Sequence, residues 1–237
     1  MARNINFAPG EFYHIYNRGT DLRTIFLDEH DYKRFLVLMY LCNGGSSIDL
    51  REHFSAGKTF SDLFSLKRGE KLVDIGAYCL MPNHLHLLMF ESVDNGISLF
   101  MQKLSTGYTM YFNKKHKRSG SLFQGRFKAQ HADNDVYLKY LFSYIHLNPV
   151  KLVEPEWKEK GVSDVEKIKK YLEEYPYSSY HEFMGKKRFE TKILNQSVFP
   201  EYFETKVLFE SCLDDWITYS QEQATKVQPS LYEGYEG

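Results

Sequence analysis

The sequence predicts an α+β domain in which strand–helix–strand units share one sheet. Three observations predict it. Residues 11–18 and 84–90 alternate with the period of a strand. Segments 28–43, 96–117 and 133–148 carry apolar residues at helical spacing. Between two adjoining strand-like runs stands Met81-Pro82-Asn83, and a proline there favours a hairpin over one continuous central strand.

The elements follow in order. Glu11–Arg18 is a strand with Phe12, His14 and Tyr16 on one face and Tyr13, Ile15 and Asn17 on the other, stopped at Gly19. Asp28-Glu29 opens a helix with Tyr32, Phe35, Leu36, Met39 and Tyr40 as its stripe, ending near Asn43-Gly44-Gly45. Residues 46–70 read as an irregular, partly helical connection. Lys71–Leu80 is the second strand, and the run from His84 to Phe90 is the third. A second helix spans 96–117 with Ile97, Phe100, Met101, Leu104 and Tyr108 on its stripe. Ser121–Ala132 reads as a fourth strand or extended segment. A third helix starts at Asp133 and must end near Asn148, because Pro149 follows. The order strand, helix, strand, strand, helix, strand is the ferredoxin-like split βαβ, here with one added helix. Beyond Val153 a charged helical region runs to Glu174, YPYSSYHEFMG forms an aromatic turn segment, and 199–219 reads as an amphipathic helix. The expected division is a domain over 8–153, a helical extension over 154–220 and a disordered tail over 221–237.

Composition narrows the class. With 237 residues, 43% hydrophobic and 26% charged, the chain suits one large globular domain or one domain with an appendage. No apolar run has the length of a membrane span, and MARNINFAPGEF does not read as a signal peptide. Cys42, Cys79 and Cys212 are far apart and form no CxxC, which fits a reducing cytoplasm and argues against a zinc knuckle. The net charge of −1 conceals a local excess. From Asn95 to Ala132 there is no acidic residue but seven Lys or Arg, the pattern of a localised anion-binding footprint.

In YCLMPNHLHLLMF the period of two puts His84 and His86 on one face, followed by Leu88 and Phe90, while Leu85, Leu87 and Met89 face a core. Taken alone, the pair also fits two hydrogen-bonded histidines in a half-buried strand. A metal site needs a further ligand, and the third helix offers one. Tyr144 and Asn148 are four apart and share a face, with Tyr140 and Tyr137 on nearly the same stripe. Spacing does not choose among these tyrosines, although only Tyr144 lies one turn from Asn148. Two imidazoles and an amide oxygen would leave positions on Mg²⁺ or Mn²⁺ open for phosphate and water. In YFNKKHKRSGSLFQGRFKAQH, Arg118, Arg126 and Lys128 interleave with Phe123, Gln124 and Phe127, as where phosphates are gripped and bases stacked. The same run also fits a solvated helix end followed by an edge strand.

MPNHLHLLMF, HKRSGSLFQGRFKA, YLFSYIHLNPVK and YPYSSYHEFMG, in this order, resemble the IS200-like, REP-associated tyrosine transposase family of single-tyrosine HUH endonucleases (Y1 transposases). The resemblance runs over residues 8–185. It implies a ferredoxin-like domain with His84 and His86 as the HUH pair, Tyr144 as nucleophile and Asn148 as third metal ligand, where smaller IS200-type enzymes carry Gln. It further implies a Mg²⁺- or Mn²⁺-dependent single-stranded DNA endonuclease and strand transferase with a 5′-phosphotyrosine intermediate. The target would be single-stranded or hairpin DNA, held by Arg118, Arg126, Lys128, Lys114 and Lys115, with Gln124 or Asn113 reading a base. His146 and His131 are candidates for helping Tyr144 lose its proton. A protein of this kind is expected in the bacterial cytoplasm on the nucleoid, and the length of the chain favours a monomer. Two other readings are a domesticated protein that binds structured DNA without transposition and an RNA-binding ferredoxin-like module. The latter would carry exposed aromatics on the central strands where this chain has imidazoles.

Overall fold

A computed structural model describes residues 6–45 and 50–226. Strand β1 (Phe12–Arg18) leads through a short 3₁₀ turn to helix α1 (Glu29–Cys42). The Asp28 carboxylate caps α1 by accepting from the Asp31 amide at 3.0 Å, satisfying a donor that the first helical turn leaves unpaired. The connection holds two short helices, α2 (Leu50–Ser55) and α3 (Phe60–Leu63), while residues 46–49 of it lie outside the described residues. Strands β2 (Val73–Met81) and β3 (His84–Glu91) then form the expected hairpin, with Met81 paired to His84 across Pro82 and Asn83.

Helix α4 (Gly96–Lys115) starts where the Glu91 carboxylate accepts from the Ile97 amide at 2.8 Å. Strand β4 (Lys128–His131) is shorter than the 121–132 segment expected to form it. Its first half is instead a loop that turns at Gly125, whose φ of 72° favours glycine, and is tied to the end of β1 by Gln124 N–H to Arg18 O at 2.8 Å. Helix α5 (Asp135–Leu147) is capped by Asn134, which accepts from the Tyr137 amide at 2.8 Å, and passes into a 3₁₀ turn over Asn148–Leu152. Proline at 149 suits that tighter turn, where its missing N–H costs nothing.

The sheet order is β2-β3-β1-β4 with antiparallel neighbours throughout. This is an α+β fold with the ferredoxin-like order. Leu85, Leu87 and Met89 face a core shared with α1 and α4. The opposite face is covered by α5, whose Leu138, Leu141, Phe142 and Ile145 pack on Ala77, Cys79 and Leu88. A bulge between Ile75 and Ala77 lets residues on both sides of it serve the same core, Val73 and Ile75 before and Tyr78 and Leu80 after. Gly76 sits at the bulge beneath the Phe199 ring, which a Cβ would approach to 2.6 Å.

After the 3₁₀ turn come α6 (Trp157–Lys160), α7 (Val165–Glu174), α8 (Tyr180–Phe183) and α9 (Lys206–Lys226). Trp157, Ile168, Leu172, Phe209 and Leu213 form a third apolar cluster with Leu147 and Val150 at the end of α5. The helix expected over 199–219 is displaced to 206–226. Phe199, Tyr202 and Phe203 pack on Phe142 instead of forming a helix stripe, and the Thr205 hydroxyl accepts from the Leu208 amide at 3.3 Å near the helix start. The tail expected to be disordered from residue 221 is therefore helical to Lys226, and 227–237 lie outside the described residues. No described helix is long and apolar enough to cross a membrane.

Candidate functional site

Helix α5 and the second face of the sheet bring the histidine strand and the tyrosine helix together. Register sets the first part: Tyr16 of β1 lies opposite His86, and Arg18 opposite His84. The Pro82-Asn83 turn is clamped to the end of β1 and the segment after it. Pro82 O accepts from Ile25 N at 2.8 Å and from Phe26 N at 3.2 Å, and Asn83 O accepts from Gly19 N at 2.8 Å. His84 therefore starts a strand whose end is fixed in three places.

Of the three tyrosines that spacing leaves open, Tyr144 meets the imidazoles. Its ring packs edge-on against His86 at 5.4 Å and against His14 at 5.6 Å between centroids. Tyr137 and Tyr140 follow back along the helix, with Tyr140 5.7 Å from Tyr144 and 6.1 Å from Tyr137. One turn on, Asn148 Nδ2 donates to Tyr144 O at 2.8 Å, which leaves the amide oxygen of Asn148 as its acceptor end, and this side chain reaches the His84 imidazole.

The histidines are neutral. Burial pushes the His84 imidazole down to about 4, helped by the Lys151 and Arg18 charges and opposed by the Asn148 hydrogen bond. His86 is pushed well down by burial, by His14 and His84 beside it, and by Lys151 and Lys158. The His84 ring stands at 90° to that of His86 with centroids 5.0 Å apart. Asn83 Nδ2 donates to Leu22 O at 3.3 Å, so its Oδ1 is the atom facing His84 Nδ1 at 2.6 Å. That oxygen only accepts, so when His84 bonds Asn83 its proton is on Nδ1, and Nε2 is then left with the lone pair that an ion needs. With the Asn148 oxygen also an acceptor, the donor set suits a cation. Among the described residues no group of three His, Cys, Asp or Glu could hold a metal ion. An ion here would rest on His84, His86 and Asn148.

Sequence patterning missed His14. It is 4% exposed, and its Nε2 lies 2.9 Å from His86 Nδ1, with the two rings stacked at 19°. Burial holds it at about 3. Its place beside His86 depends on the β1–β3 register, which alternation within one strand does not reveal. Lys158 of α6 was likewise unforeseen. Its ammonium lies 4.8 Å from the centroid of the Tyr144 ring, within cation–π range.

The other expected residues divide. Arg126 and Lys128 are exposed, and Lys128 stands 5.8 Å from the Tyr16 ring centroid, beside the site. Gln124 receives a hydrogen bond from Arg18 Nε and donates its own amide to Arg18 O at 2.8 Å, so the basic loop is fastened at the His84 end of the sheet. Arg118 braces that loop, donating to Asn113 Oδ1 at 2.6 Å and to Ser121 O at 3.0 Å. Lys114 is exposed. Lys115 is committed elsewhere, to Asp28 and Asp31 at 2.7 Å each. His146 and His131 lie among other partners. His146 is bound to Phe142 O and Ser179 Oγ, each at 2.7 Å, and His131 to Glu11 at 2.8 Å. The imidazoles that meet Tyr144 are His14 and His86.

Comparison with known proteins adds three findings. The model of the family described as "Transposase IS200 like" matches residues 43–148. A protein of Haemophilus influenzae named "Putative REP-associated tyrosine transposase" is 32% identical over 116 residues, 44% of this chain and 57% of the relative. The chain thus matches just over half the length of that relative. A solved REP-associated tyrosine transposase, bound to a REP hairpin, is 14% identical with a TM-score of 0.47, over 80% of this chain and 89% of that one. Residues 43–148, the stretch that matches the IS200-like family model, include the histidine pair, the basic loop and the tyrosine helix.

Proposed function

We propose that the chain is a metal-dependent endonuclease and strand transferase acting on single-stranded or hairpin-bearing DNA, with Tyr144 as its nucleophile. The observation that carries this reading is the packing of Tyr144 against His86, with Asn148 one turn further along and touching His84. His84, His86 and Asn148 would hold Mg²⁺ or Mn²⁺, which when bound supplies Lewis-acid polarisation of a scissile phosphate. Tyr144 Oη attacks phosphorus, the phosphorus–3′-oxygen bond breaks, and the 3′-oxygen leaves with a proton as a free hydroxyl. The 5′ phosphate stays on Tyr144 as a phosphodiester. Because one ester replaces another, a second 3′-hydroxyl reverses the step and rejoins DNA, which attack by water would not permit.

A phenol with a pKa of about 10 is a weak nucleophile at neutral pH. The Lys158 ammonium lies over the Tyr144 ring, and the buried histidines beside it are poor proton acceptors. Arg126, Lys128 and Lys114 on the exposed basic segment suit backbone phosphates, and the Arg18–Gln124 pair lies where DNA would pass the His84 end. Helix α5 packs on the sheet of its own chain and brings Tyr144 to His86 without a second copy, the arrangement that a monomeric working form needs.

The test is incubation with Mg²⁺ or Mn²⁺ and labelled hairpin DNA from repeats flanking the gene, read as a covalent adduct that survives denaturation. Wild type should form the adduct and Tyr144→Phe should not. Tight binding without an adduct in either metal would remove the catalytic reading and leave a structured-DNA-binding protein. An adduct in the variant would mean a different tyrosine.

A further inference from the structure

We propose that His14 is a positioning residue for the metal site: by accepting a hydrogen bond from His86 Nδ1, it holds His86 in the tautomer that keeps Nε2 free to bind an ion. This rests on the metal-dependent reading above and gives a task to a residue from a strand that contributes no ligand.

The contact leaves two arrangements. Both imidazoles are buried, and one of the two nitrogens must donate across the 2.9 Å gap between His14 Nε2 and His86 Nδ1. If His14 donates, the His86 proton lies on Nε2 and that nitrogen cannot coordinate. If His86 donates, Nε2 keeps its lone pair. An ion resting on His86 needs the second arrangement, because only an unprotonated Nε2 can meet it. His84 offers the parallel, with its Nδ1 2.6 Å from Asn83 Oδ1, an oxygen that can only accept. His84 and His86 are then oriented by the same device, each donating through Nδ1 to a neighbour outside the ligand set.

The partner matters because an unconstrained imidazole prefers its proton on Nε2, which would block the nitrogen needed for the ion. Metal-binding histidines are commonly held by an acceptor on their other nitrogen, usually a carboxylate, carbonyl or water. In this chain an imidazole fills that place. It is stacked on His86 at 19° and meets Tyr144 edge-on at 77°, so a change at His14 is felt by both sides of the site.

The experiment uses the full chain with two variants, His14→Phe, which fills space without accepting, and His14→Gln, which restores an acceptor. Long-range ¹⁵N NMR of the metal-free protein reports which His86 nitrogen carries the proton, and calorimetry reports Mn²⁺ affinity. Wild type should show His86 protonated at Nδ1. His14→Phe should lose that preference and bind Mn²⁺ about 10- to 100-fold more weakly, with His14→Gln recovering most of the loss. A proton on Nε2 in wild type overturns the proposal without any variant. So does a His14→Phe protein that keeps both the tautomer and the affinity. If wild type takes up no more Mn²⁺ than His86→Ala, the metal reading falls, while the tautomer comparison still decides the role of His14.

Discussion

Strand β3 has two covered faces with opposite characters. Leu85, Leu87 and Met89 enter an apolar core under α1 and α4, where each is 1% exposed or less. His84 and His86 turn the other way, toward α5, and meet aromatic and amide side chains. Burial on the first face stabilises the fold at about 1.5–3 kcal/mol per large apolar side chain. On the second face burial strips water from imidazoles, keeps them neutral and leaves lone pairs without protons. One strand thus serves stability on one side and, on the function proposed above, chemistry on the other, and the period of two keeps the tasks apart.

The largest test of that division is Leu87→Ala. It should destabilise the protein by about 2–5 kcal/mol in urea melts while leaving adduct formation per folded molecule unchanged. Tyr144→Phe should do the reverse. A Leu87 variant that lost adduct formation while fully folded would show that the faces are coupled.

Asp31 sharpens the comparison, because it is a charged group on the stability side. Burial would raise its carboxyl, but the Lys115 ammonium, the Leu27 amide and the Tyr111 hydroxyl outweigh this and hold it below the usual range. A depressed carboxylate contributes stability above its unfolded pKa of about 3.9 and loses it as pH falls through the folded value. Asp31→Asn should therefore cost about 1–3 kcal/mol at pH 7, with the gap to wild type closing as the pH is lowered below about 4. Urea melts at the two pH values decide it. A constant gap would mean that packing, not charge, is what the residue supplies.

The smallest effect concerns two adjacent lysines. Lys115 is tied to Asp28 and Asp31, whereas Lys114 is exposed. Lys114→Ala should weaken DNA binding uniformly across sequences and lower the salt slope by about 1 without changing stability. An unaltered slope would take Lys114 out of the DNA path.

Much of this was legible in the sequence for local reasons. Alternation marked β1 and β3, Pro82 marked the hairpin, and Asp28 and Pro149 bounded their helices. What was not legible depends on distant pairing. His14 is a neighbour of His86 only through the strand register, and Lys158 meets Tyr144 only because Trp157 anchors α6 in a separate apolar cluster. The helix expected from 199 began at 206 because Phe199 is needed over Gly76, a use that helical spacing cannot announce.

The clamp at Pro82 and Asn83 has a consequence for synthesis. Its bonds join the start of β3 to residues following β1, all of which leave the ribosome well before α5. The half of the centre that carries His14, His84 and His86 is encoded ahead of the half that carries Tyr144, Asn148 and Lys158. A nascent or prematurely ended chain can own the histidines without owning Tyr144. On the mechanism proposed above, a product ending before residue 144 would leave no covalent scar on the cell's DNA.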